Sequence, residues 1–235
     1  MKKTLSFLAA FLSITACFSQ TPEEFFNSGD AKYNHKDYKG ALADFTKAID
    51  LNPNNPTAFY NRAIVKKVIG DHRGAIVDFT KVLELDPNDP MAYFNRGVAK
   101  YLIEDNLGAI ADYAKALELD PNFSRTYYNR AIVKRELEDY RGAIIDYTKA
   151  IELDPNDPNY YFNRGLLKYS LEDFRGAIAD YTKVLELDPN DSEAYYNRGI
   201  AKGILGQKDS GCLDFSKAGE LGMSEAYEAI KALCN

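Results

Sequence analysis

Few residues in this chain could do chemistry alone, and their spacing argues against catalysis. The two histidines, His35 and His72, are expected as solvated residues in turns between successive units of the fold. The three cysteines, Cys17, Cys212 and Cys234, form no cluster with histidine at metal-ligand spacing. No glycine-rich phosphate loop follows a strand, because no strand pattern is evident. Acidic residues are many, 35 in all, but they are spread at regular intervals, whereas catalysis needs one singular constellation. No catalytic residue, metal or cofactor is assigned, and the chain reads as a non-enzyme. What does recur is a ring followed by a carboxamide: Phe26-Asn27, Tyr60-Asn61, Phe94-Asn95, Tyr128-Asn129, Phe162-Asn163 and Tyr196-Asn197. A carboxamide both donates and accepts hydrogen bonds. A row of them could bond the main chain of an extended peptide whatever its side chains, or could simply bridge neighbouring helices.

The elements that carry these pairs repeat. Prolines 53, 87, 121, 155 and 189 stand 34 residues apart, and each of the last four is the centre of an Asp-Pro-Asn turn. A period of this size with two helical stretches inside it must be read before anything else. In the second unit, Asn55 and Pro56 make a cap and a preorganised first turn. Phe59, Ala63 and Lys66 then share one helical face, and Gly70-Asp71 ends the helix. The next helix carries Ala75, Phe79 and Val82 on one face and stops at Asp86-Pro87-Asn88. The small residues Ala63 and Ala75 allow close approach, and Phe59 and Phe79 fill the space beside them. One such hairpin cannot bury both of its faces, so the units must stack into a solenoid.

This pattern of small and aromatic residues ending in Asp-Pro-Asn resembles the tetratricopeptide repeat family, from residue 22 to about 221. The resemblance implies an all-α, right-handed α-solenoid of six helix-turn-helix units with a C-terminal capping helix. The units are expected at 22–55, 56–89, 90–123, 124–157, 158–191 and a divergent 192–222, with the cap at 223–235. It also implies a concave groove lined by the first helix of each unit, which binds a protein or an extended peptide. In that reading Phe26, Tyr60, Phe94, Tyr128, Phe162 and Tyr196 form an aromatic column. The six asparagines run beside it, and then the aliphatic Ile64, Val98, Ile132, Leu166 and Ile200. Such a groove favours an extended, partly apolar segment over a highly charged one. The family's clamp for chaperone C-terminal carboxylates is excluded, because Phe26 and Asp30, and Tyr60 and Ile64, stand where its lysine and asparagine would be. Arg62, Arg96, Arg130, Arg164 and Arg198 are expected to pair with Asp44, Asp78, Asp112, Asp146, Asp180 or Asp214, of their own or the preceding unit, as a structural interlock.

Residues 1–19 lie outside the array. Lys2 and Lys3, the short apolar run Leu5–Ile14 and the small residues that follow have the order of a secretory signal peptide. The run is too short to span a membrane. Cleavage after residue 19 is one outcome. The other is lipidation at Cys17, since Ile14-Thr15-Ala16-Cys17 resembles a bacterial lipobox, and the signal would then be residues 1–16. Either outcome predicts an exported protein, in the periplasm or cell envelope, with outer-membrane anchorage only through that lipid. Cys212 and Cys234 then remain as an even pair in an oxidising compartment, flanking Gly222, and are expected to form a disulfide. The net charge of −6 makes nucleic acid a poor partner. A binding scaffold is the favoured function, and a lipid-anchored structural component of an envelope assembly is the alternative.

Overall fold

The computed structural model describes residues 20–234, so Cys17 and both proposed ends of the signal lie outside the described residues. Six antiparallel helix pairs follow one another. They are α1 (Pro22–Asn34) with α2 (Tyr38–Leu51), α3 (Pro56–Val68) with α4 (His72–Leu85), and α5 (Pro90–Tyr101) with α6 (Asn106–Leu119). Next come α7 (Ser124–Glu136) with α8 (Tyr140–Leu153), α9 (Pro158–Ser170) with α10 (Phe174–Leu187), and α11 (Ser192–Ile204) with α12 (Lys208–Glu220). A thirteenth helix, α13 (Glu225–Leu233), closes the array, and no strand occurs among the described residues. Each second helix packs on its own partner and on the first helix of the next unit, which makes a helical-repeat solenoid.

Side chains start these helices where their types predict. At α1 the Thr21 hydroxyl accepts from the Glu24 N–H at 3.1 Å, and the Glu24 carboxylate accepts from the Thr21 N–H at 2.9 Å, a complete capping box. Asn55, Asp89, Asp157 and Asp191 cap α3, α5, α9 and α11. Among the first helices of the units α7 is the exception: Phe123 occupies its cap position and makes no side-chain cap hydrogen bond. The histidines lie elsewhere than expected. His35 ends α1 and His72 begins α4, so both belong to turns inside a hairpin and not to turns between units. Those inner turns need a left-handed residue, supplied without strain by Gly70 (φ 84°) but by Glu138 at φ 60° in unit four.

Within a hairpin a small residue sits under a large ring. A Cβ added at Gly97 would come within 2.8 Å of the Tyr113 ring, and Gly165 stands in the same relation to Tyr181. Beside that contact lies a buried charge. Asp78 accepts from Arg62 Nε and Nη2, both at 2.8 Å, and from Lys66 Nζ at 2.8 Å, with only 1 % of its surface exposed. Asp112, Asp146, Asp180 and Asp214 take the equivalent Arg and Lys of their own hairpins. The interlock is therefore intra-unit. In unit one Ser28 replaces the arginine, and Asp44 is held by Ser28 and Lys32. Burial alone would raise the Asp44 carboxyl, but those two hydrogen bonds, with the charges of Lys32 and Lys47, lower it below its ordinary value.

The preceding unit contributes a hydroxyl instead. Thr46, Thr80, Thr148 and Thr182 each donate to a carbonyl of their own helix and accept from Nη1 of the next unit's arginine. The series breaks once, where Ala114 faces Arg130 between units three and four. First helices of neighbouring units touch, α1 with α3 and α5 with α7, while no pair of second helices is in comparable contact. The first helices therefore form the inner side of the stack.

At the C-terminus α13 covers the end of α12, with Ala226 fully buried against Phe215 and Ala218. Cys212 and Cys234 are joined, their Cα atoms 5.8 Å apart. Gly203, Gly211 and Cys212, where other units carry bulkier or branched residues, line an apolar cavity of about 310 Å³ with Phe215 and Leu233.

Asp146→Asn, which leaves Arg130 and Lys134 without a counter-charge, is expected to lower stability by about 2–3 kcal/mol in urea unfolding. An unchanged midpoint would show the carboxylate to be dispensable. Closing the 22-residue separation by the disulfide is expected to be worth about 3 kcal/mol. Reduction, or Cys234→Ser, should speed amide exchange in α13 and leave α3 to α8 unaltered. Two freely alkylated thiols in the native protein would contradict this.

Candidate functional site

Because Arg62 and Lys66 turn into the hairpin toward Asp78, a different face of α3 is turned to the inner side of the stack. Tyr60, Asn61, Ile64 and Lys67 are half-buried there. A small cavity of about 60 Å³ is lined by Asp30, Tyr33 and Phe45 of unit one and by Asn61 and Ile64 of unit two. First-helix residues of neighbouring units thus meet on this inner side, the candidate groove.

The aromatic column is anchored from below. Phe26, Tyr60, Phe94, Tyr128, Phe162 and Tyr196 each pack on the second-helix ring of their own hairpin, with centroids 5.5–6.0 Å apart. These rings are therefore shared between core and groove, and Phe94 is buried.

The asparagine column is not the uniform row of free carboxamides that the spacing suggests. Asn95 is 5 % exposed. Its Nδ2 donates to the Tyr60 hydroxyl and to the Met91 carbonyl, both at 2.9 Å, and its Oδ1 accepts from Lys67 Nζ at 2.7 Å. Asn163 repeats the arrangement with Tyr128, the Asn159 carbonyl and Arg135. These two amides bridge first helices of neighbouring units. Asn27 is exposed, Asn61, Asn129 and Asn197 are half-buried, and Asn129 spends one N–H on the Arg125 carbonyl at 2.7 Å.

That alternation has a cause in the sequence that a 34-residue reading passes over. The place seven residues after each column ring holds Tyr33, Lys67, Tyr101, Arg135, Tyr169 and Gly203, so a cation returns in units two and four. The column ring is Phe in odd units and Tyr in even ones, a period of two units. A tyrosine hydroxyl in an even unit, with the cation two turns away, is what the next unit's asparagine has as partners. Reading the columns at twice the interval would have found Lys67 and Arg135 as groove residues; Arg125, one turn before Asn129, has no such recurrence.

Burial raises the Tyr60 phenol above its ordinary value, with Asp89 adding to the effect. Burial raises Tyr128 likewise, with Asp157 adding and Arg135 and Asn163 opposing. Lys67 is held below the usual lysine value, first by burial and then by the charge of Arg125. Tyr101 donates to Glu136 across units three and four, and that bond and burial raise its phenol. Beneath the groove, Tyr113, Tyr147 and Tyr181 are fully buried and their hydroxyls have no partner among the described residues. Units one, two and six carry Phe45, Phe79 and Phe215 at that place. Among the described residues no group of three or more His, Cys, Asp or Glu could hold a metal ion, and no helix is long and apolar enough to cross a membrane.

Several tetratricopeptide-repeat profiles match the chain, at residues 29–67, 68–123, 113–145, 133–172, 158–191 and 180–212. The chain belongs to the tetratricopeptide repeat family. Among solved structures it is similar to YrrB, described as a TPR protein with an unusual peptide-binding site. That likeness is 25% identical with a TM-score of 0.70, and it covers 80% of this chain and 97% of YrrB. MamA 41-end from Desulfovibrio magneticus RS-1 is 24% identical with a TM-score of 0.69, covering 74% of this chain and 98% of MamA. The C-terminal part of a TPR repeat-containing protein from Cytophaga hutchinsonii reaches a TM-score of 0.76 at 20% identity, covering 83% and 78%. These last two likenesses show the fold. Among curated proteins the sequence has no match.

The unpartnered phenols make a prediction. Burial raises Tyr113, Tyr147 and Tyr181 far above the ordinary tyrosine value of 10.0, so their protonated form belongs to the folded state. Stability is therefore whole below that value and falls as pH rises above it. Tyr147→Phe, which removes a hydroxyl with no partner, is expected to raise stability by about 1 kcal/mol and to soften the alkaline loss. A destabilised variant in alkaline urea titrations would mean that the hydroxyl is bonded after all.

Proposed function

We propose that this tetratricopeptide-repeat protein is an exported, non-catalytic scaffold that holds an extended peptide or a segment of a partner protein in its inner groove. The observation that carries the reading is the recurrence along the first helices of partly exposed aromatic, carboxamide and aliphatic side chains, interrupted at the buried Phe94-Asn95 of unit three. Asn61, Asn129 and Asn197 supply hydrogen-bonding groups for a main chain, and Ile64, Ile132 and Ile200 supply apolar contact. Asn95 and Asn163 serve by holding the column rings in place. The peptide-binding site ascribed to YrrB supports the same use of a similar array.

Export rests on the order of residues in the leader, a basic start, an apolar run and then small residues around Cys17. The joined Cys212 and Cys234 fit an oxidising compartment such as the periplasm or the outer face of the envelope. A second reading, a lipid-anchored structural component, is favoured by a different feature. Val77, Ile145 and Leu213 stand on second helices, 66 %, 68 % and 71 % exposed, one in every other unit. Partner contact through the outer face would use them.

Co-purification from the native envelope separates the two. The combined variant Asn61→Ala, Asn129→Ala and Ile132→Ser is expected to lose the partner while keeping its circular dichroism. The variant Val77→Ser with Ile145→Ser is expected to retain it. The reverse pattern would transfer the function to the outer face.

A further inference from the structure

The groove of a chain with net charge −6 carries its cations in the middle and its acids at the ends. Glu23 and Asp30 lie on α1, and Glu193 on α11, all exposed. Between them stand Lys67 on α3 and Arg125 and Arg135 on α7. None of these three forms a salt bridge among the described residues, in contrast to the arginines and lysines that hold the buried aspartates. Lys67 Nζ has one protein partner, Asn95 Oδ1, for its three N–H groups, and Arg135 donates one bond to Asn163. Arg125 lies over the Phe94 ring, 5.9 Å from its centroid, close enough to Lys67 for the two charges to oppose each other.

A half-buried lysine and an arginine stacked on an aromatic ring, close together without a carboxylate partner, are an arrangement that folding alone disfavours. Arg135 stands at the position of Lys67 two units further on, bonded to Asn163 as Lys67 is to Asn95, and is a separate place in the groove. Asp89 and Asp157 cap helices, and Glu136 accepts from Tyr101. A carboxylate is the group that would neutralise Lys67 and Arg125.

We infer that the middle of the groove, at Lys67 and Arg125, selects a peptide segment carrying an Asp or Glu side chain, with the apolar strip on either side taking uncharged residues. The inference rests on the proposed peptide-binding role and names what that groove prefers. It differs from the general expectation of an uncharged, partly apolar ligand, because it places one acid at a defined point.

The test uses the full-length protein and three fluorescein-labelled pools of extended peptides, read by anisotropy. The pools share random Ala, Leu, Val, Ser and Gly positions and differ only at the centre, which is Glu, Gln or Lys. The Glu pool is expected to bind about tenfold more tightly than the Gln pool at low salt. That advantage should shrink between about 0.05 and 0.5 M salt, and the Lys pool should bind least. The double variant Lys67→Gln with Arg125→Gln should reduce Glu binding to the Gln level and leave Gln binding unaltered. Arg125→Gln alone should lower the preference severalfold. Equal binding of the Glu and Gln pools, or a preference that survives the double variant, overturns the inference and leaves the groove reading intact. Failure of all three pools to bind overturns the groove reading together with it.

Discussion

A carboxylate with almost no access to water determines what each hairpin can be. Asp78 and its counterparts accept from an arginine and a lysine four residues apart on the facing helix, and those three side chains meet in only one register. Removing a charge from water is costly, so the partners must arrive together and with good geometry. Once Arg62 and Lys66 are turned inward, Tyr60, Ile64 and Lys67 are turned the other way. The orientation of the groove face is thus a consequence of an ion cluster beneath it. The small residue under each second-helix ring then sets how closely the two helices lie.

Stacking adds little that is not already present in one unit. Each second helix presents an apolar face that only the following first helix covers, so the stability of the array is a sum of hairpins and joints. The last joint is made with a different element. Helix α13 packs on α12 in place of another hairpin, and the Cys212–Cys234 link closes it there.

Much of this was legible in the sequence because it is local or strictly periodic. Thr21 and Glu24 declare the first cap, Asn55 and Pro56 the third helix, and the repeated Arg and Asp the existence of an interlock. Whether that pairing stayed within a hairpin or crossed to its neighbour was not legible. A separation of 16 residues could be spanned either way until the helix rotation was known. The histidines were assigned to the wrong turns because the inner turn has no proline to mark it. The asparagine column misled for a related reason. A single unit cannot show that Asn95 is satisfied by Tyr60 and Lys67 from the unit before, and the difference between odd and even units is invisible at an interval of 34.

The joint between units three and four is tied differently from its neighbours. Ala114 gives Arg130 no hydroxyl, Phe123 gives α7 no cap, and the buried Thr126 hydroxyl on the same helix has no partner among the described residues. In their place Tyr101 reaches Glu136, Phe123 packs on Phe94 at 4.9 Å, and Arg125 lies over that same ring. A rod assembled from near-identical segments thus has one seam, at mid-length, stitched by rings and charges where the others use a hydroxyl.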